Sequence, residues 1–173
     1  MFTNNARIIL VGLFLACGLF FSYHHIYQLV ALMMLFIGLV IWGYFKEGTI
    51  ILAAKSFHKK DYAKTESLMS QITHPNWLGK KRRGFYEFIM GGIALQKQDY
   101  EAAEKHYELA SQYPLRTVND HVAALVHVAN ISVRQGDYDK AREYLHRAEK
   151  LKDHITAKMK EVIVKIEQEL KQH

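Results

Sequence analysis

The chain has 173 residues, enough for one modest domain plus an appended segment, and carries a formal charge of +6. Its single cysteine, Cys17, excludes an intrachain disulfide. The charge is unevenly divided: before Lys46 the only charged side chain is Arg7, and all 17 Asp and Glu follow it, so the mean composition describes neither part.

The first part is apolar. Residues 8–21 form an unbroken apolar run, and residues 29–45 form a second one interrupted only by glycine. Residues 26–45 at 1.5 Å per residue reach roughly 30 Å, the thickness of a bilayer core. The first run reaches about 21 Å, or about 27 Å with Ala6, Arg7, Ser22 and Tyr23 included and Arg7 snorkelling to the headgroups. With only Ser22, Tyr23, His24 and His25 between the runs, the pattern predicts a transmembrane hairpin over residues 1–45, with spans at 6–23 and 26–45. Tyr23, Tyr27, Trp42 and Tyr44 fall where interfacial aromatics belong. A cleaved lipoprotein signal at Phe14-Leu15-Ala16-Cys17 fits less well, because its Phe and Leu are bulky and a second apolar run follows. Arg7, Lys46, Lys55, Lys59 and Lys60 flank one side of this hairpin, which predicts a bacterial inner-membrane protein with its N-terminus and C-terminal domain cytoplasmic.

The second part is repetitive. Lys60-Asp61-Tyr62-Ala63, Gln98-Asp99-Tyr100-Glu101 and Gly136-Asp137-Tyr138-Asp139 place their tyrosines 38 residues apart twice. A fixed period of this size indicates stacked supersecondary units. Each phrase lies between two stretches of helical periodicity, and each Asp is placed to cap the second helix through its carboxylate. The spacing predicts units over 46–79, 80–117 and 118–152. A stripe of Ile155, Met159, Val162, Ile166 and Leu170 predicts a capping helix over 153–173.

These phrases resemble the tetratricopeptide repeat (TPR) family. Its pattern has a small residue midway along the first helix, then a Gly-Asp-Tyr-like turn, then two alanines framing a large apolar residue. Gly91, Asp99, Tyr100, Ala103, Tyr107 and Ala110 match it in the second unit; Ala129, Gly136, Asp137, Tyr138, Ala141, Leu145 and Ala148 match it in the third. The first unit is degenerate: Ala53, Asp61 and Tyr62 fit, but Thr65 and Ile72 stand where small residues are expected. The period exceeds the family's usual 34 residues by about one helical turn, which we place near residues 80–83 and 118–121.

The fold expected is therefore all-α: a two-helix transmembrane hairpin, an α-solenoid of about three TPR-like helix pairs and a C-terminal capping helix. The resemblance implies a protein-binding groove lined by the first helix of each pair. Carried onto this chain, its positions include Phe57, then Phe85, Phe88, Leu95 and Gln96, then Val126, Asn130, Val133 and Arg134. Ile50, Ala54, Gly92 and Ala123 are candidates of the same kind. The family's carboxylate clamp requires Lys, Asn and Arg at several of these places and only Asn130 fits, so a peptide or amphipathic helix is the expected ligand. The chain's own tail is the alternative occupant.

Lys80, Lys81, Arg82 and Arg83 form the one concentrated charge, a candidate contact for anionic lipid. It falls short of a basic stripe interleaved with stacking aromatics, so nucleic acid is not an expected partner. The ten histidines include no H-E-x-x-H and no cysteine–histidine cluster. No nucleophile elbow or phosphate loop occurs, and neither enzymatic activity, metal nor cofactor is expected. The expected function is a membrane-tethered scaffold that recruits a protein partner. The alternative is a small subunit of an integral membrane complex, its hairpin approached closely through Gly12, Gly18, Gly38 and Gly43.

Overall fold

In the computed structural model the backbone is described for residues 4–47 and 49–172, with the side chains of residues 4, 5, 7 and 44–47 left out. Among the described residues the regular structure is all helical. Nine α-helices occur in order: α1 Asn4–Tyr23, α2 Tyr27–Glu47, α3 Ile50–His58, α4 Tyr62–Met69, α5 Lys80–Gln96, α6 Tyr100–Ser111, α7 Val118–Gln135, α8 Tyr138–Glu149 and α9 Ala157–Leu170. Two compact units divide them, Met1–Leu78 and Gly79–His173.

In the first unit α1 and α2 form an antiparallel hairpin. Its turn is set by His25 in left-handed conformation (φ 58°) and by the Ile26 N–H donating to the Phe21 carbonyl at 2.9 Å. Phe14 and Phe36 stack across the pair at 5.5 Å. The expectation of two membrane spans is corrected here: among the described residues, no helix is long and apolar enough to cross a membrane. In α1 the uninterrupted apolar run of residues 8–21 gives about 21 Å of helix against about 30 Å of bilayer hydrocarbon. In α2 the run of residues 29–45, about 26 Å, is bounded by Gln28 and by Lys46 and Glu47. The inner-membrane location, the bilayer as partner and the membrane-complex alternative lose their support with it. Arg7, Tyr44 and Lys46, used for interface and orientation, have side chains outside the described residues, as does Gly48 entirely. Nor do the hairpin glycines mediate close approach: a Cβ on Gly12, Gly38 or Gly43 would meet nothing within 4 Å, and on Gly18 only Met33 at 3.9 Å.

The pair α3–α4 completes the first unit. Thr49 is buried and its hydroxyl donates to the Leu68 carbonyl at 2.8 Å, tying the start of α3 to the end of α4. Thr65, larger than the family pattern calls for, is fully buried because its hydroxyl is satisfied by the Asp61 carbonyl at 2.6 Å.

The second unit consists of the pairs α5–α6 and α7–α8 with α9 packed on α7 and α8. Both first helices are long, 17 residues in α5 and 18 in α7, so the additional turn of each repeat is helix. All three inter-helix turns share one construction. Lys60, Gln98 and Gly136 adopt left-handed backbone (φ 61°, 62° and 81°). The following Asp61, Asp99 and Asp137 N–H groups then donate back to Ser56, Ala94 and Ser132 carbonyls at 3.0, 3.0 and 2.9 Å, closing the preceding helix. The same three aspartates open the next helix, each Oδ1 accepting from the N–H of Lys64, Ala102 or Lys140 at 3.1 Å.

Close packing of α5 depends on two glycines. A Cβ on Gly84 would lie 2.6 Å from the Tyr113 Cβ, and one on Gly91 3.0 Å from the buried Tyr107 ring. Two apolar clusters follow. Ala94, Ala103, Tyr107, Ala110, Leu115, Ala124, Val128 and Ile131 knit α5, α6 and α7 together. Val122, Leu125, Val126, Ala129, Val133, Ala141, Leu145, Ala148, Ile163, Ile166 and Leu170 join α7 and α8 to α9. The buried stripe of α9 differs by one position from the pattern read in the sequence. Ile163 is buried and Val162 is 38% exposed, because the register 159, 163, 166, 170 faces the α7–α8 pair.

Candidate protein-binding face

Two buried clusters leave α7 with one uncovered strip. Ala124, Val128 and Ile131 turn toward α6, while Val122, Leu125, Val126, Ala129 and Val133 turn toward α8 and α9. Between them Ala123, His127, Asn130 and Arg134 recur at steps of four, three and four, which aligns them on one helix face. The first three are half-buried and Arg134 is exposed.

The matching strip on α5 is aromatic. Phe85 and Phe88 are half-buried, stacked nearly parallel at 4° with centroids 6.3 Å apart. Phe88 reaches the Tyr107 ring edge-on at 5.5 Å and the His127 ring at 6.3 Å. His127 in turn lies flat on Tyr107, 4.4 Å away at 14°. Aromatic rings from α5, α6 and α7 thus form one continuous patch, held from below by the fully packed Tyr107. Desolvation pushes the His127 imidazole from its ordinary value near 6.5 down to about 4, so the ring is neutral at pH 7.

Polar contacts beneath and beside this patch fix the helices. Glu87, 2% exposed, accepts from Arg83 Nη2 and His106 Nδ1, both at 2.6 Å. A carboxylate flanked by two donors can sit in the interior because both of its oxygens are satisfied. Ser132 donates to Glu104 at 2.8 Å, and Lys140 bridges Glu104 and Glu108 at 3.0 and 2.7 Å, joining α6, α7 and α8. Desolvation draws the Lys140 ammonium down, but its hydrogen bonds to Glu108 and Glu104 outweigh it and hold the ammonium above its ordinary value. Arg134 reaches back over the Tyr100 ring at 5.8 Å and donates to its hydroxyl at 3.4 Å.

The residues singled out from the sequence are sorted by this geometry. Phe85, Phe88, Asn130 and Arg134 share the uncovered face; Gln96 is exposed at the end of α5, and Leu95 is half-buried against the α5–α6–α7 cluster. Val126 and Val133 are only 6% and 7% exposed, packed in the cluster that α9 completes. Phe57 lies in the first unit, edge-on to Tyr62 at 5.9 Å. The basic run divides as well. Lys80 and Lys81 are exposed and Arg82 is half-buried, whereas Arg83 is engaged with Glu87. His127 and Tyr107 are central to the patch although the groove positions inferred from sequence omitted them.

A family model described as the SusR N-terminal TPR domain matches residues 44–165. No curated protein and no solved structure matches the chain.

Proposed function

The chain belongs to the SusR N-terminal TPR domain family, and on that premise we propose that it recruits a protein partner through the uncovered face of α5 and α7. A TPR domain is a protein-interaction helical-repeat scaffold, and repeat families of this type are generally non-enzymatic. Repeats over 46–79, 80–117 and 118–152, with residues 153–173 as a cap, are the arrangement this reading uses. The observation that carries the reading is the aromatic patch of Phe85, Phe88 and His127 beside Asn130. Half-buried aromatic rings held in place by a packed base supply contact area with little conformational entropy left to lose, which is how binding hot spots are built.

Co-purification from the native source with the unmodified chain and with Phe88→Glu tests the proposal. A charge placed on the patch is expected to remove at least one stably bound protein, with the helical circular dichroism retained. An unchanged set of co-purifying proteins rejects this face as the binding site.

A further inference from the structure

We propose that the α5–α7 face takes its partner as an extended peptide segment, read through main-chain hydrogen bonds to His127 and Asn130. This rests on the binding face described above and assigns the form of its ligand. Among the described residues, no group in the protein hydrogen-bonds the His127 ring nitrogens or the Asn130 side-chain amide. Polar groups on a half-buried surface are ordinarily satisfied, and these two are the unsatisfied ones on the strip. Both are neutral and both carry a donor and an acceptor: an imidazole at pH 7 has one N–H and one bare nitrogen, and an amide has an NH2 and a carbonyl.

That pairing of neutral donor and acceptor matches a peptide main chain. An α-helix satisfies its backbone N–H and C=O groups internally and offers a groove only its side chains. An extended chain presents unpaired N–H and C=O groups along an edge, repeating every two residues at about 6.6 Å. Residues three apart on a helix have Cβ atoms about 5–6 Å apart, so His127 and Asn130 are spaced to meet one such edge. Ala123, on the same strip, is small enough for a main chain to approach closely. Phe85 and Phe88 lie alongside to receive an apolar side chain of the bound segment, and alternation along an extended chain sends the next one to solvent. The strip carries no formal charge until Arg134, which is turned onto Tyr100, and this favours neutral main-chain groups over a terminal carboxylate.

The test pans the 173-residue chain against two libraries of random ten-residue peptides, one linear and one locked as helix by lactam bridges between positions four apart. Binders are expected from the linear library. Their affinity should fall at least tenfold on Asn130→Ala, on His127→Phe (which retains a stacking ring on Tyr107) and on N-methylation of one central peptide amide. Thermal melts of both variants verify folding, and N-methylation, which leaves the protein untouched, keeps the test decisive if a variant fails to fold. Binders from the helical library alone, or linear binders indifferent to N-methylation and to Asn130→Ala, overturn the proposal; so does a linear library that yields none. Helical binders lost on Phe85→Glu would sink the extended-peptide inference and leave the α5–α7 face standing. Binders of either kind unaffected by Phe85→Glu would sink both.

Discussion

Lys60 and Gln98 hold the left-handed conformation that Gly136 holds in the third turn, and neither has glycine's freedom to do so. A non-glycine residue there costs on the order of 1–2 kcal/mol, part of which a glycine returns as greater entropy in the unfolded chain. Gln98→Gly is therefore expected to raise the unfolding free energy by about 0.5–1 kcal/mol, read by urea denaturation. The reverse holds at Gly136, where alanine is expected to destabilise. His127 makes a second residue-scale prediction. Its folded value near 4 lies below the ordinary 6.5, so between these pH values the unfolded chain binds more protons. Stability is thus fully present above about pH 6.5 and is lost as pH falls toward 4. Between pH 7.5 and 4.5 this amounts to about 2–3 kcal/mol. Subtracting the same curve for His127→Phe isolates the imidazole, and equal losses in both chains would show that the ring is not desolvated.

Elements differ in how fully their sequence announced them. The turns were legible because their chemistry is local: an aspartate two residues past one helix caps the next, and the pattern returns every 38 residues. Helix α9 was legible as an amphipathic cap, although which of Val162 and Ile163 faces inward was set only by the α7–α8 surface it meets. Position within a repeat placed Val126 and Val133 in a groove, but α9 covers them. The aromatic patch was only half legible, since His127 gains its meaning from Tyr107 and Phe88, which lie on two other helices. Apolar composition in residues 8–21 and 29–45 pointed to spans, whereas the helices formed there are not long and apolar enough to cross a membrane. At the α5–α6 pairing the decisive residue is Gly84. A methyl group there would stand 2.6 Å from Tyr113 and 2.9 Å from Leu115, and both sit in the connection that closes against α5. Gly84→Ala is expected to cost about 1–3 kcal/mol as overpacking, measurable as a lowered urea midpoint with an unchanged slope. A neutral result would mean that the connection shifts freely.

For the whole molecule, the family places residues 44–165 in a protein-interaction domain, and the uncovered strips of α5 and α7 provide it with an aromatic, neutral face. The rest of that unit is directed inward or covered by charge, including the exposed Lys105 on α6. The claim that partners dock on the α5–α7 face is tested most directly by site-specific photocrosslinking in the native source. A benzoylphenylalanine placed at Phe85 is expected to capture a discrete protein, while the same probe at Lys105 captures none. Capture of the same protein at both positions, or at Lys105 alone, would contradict it.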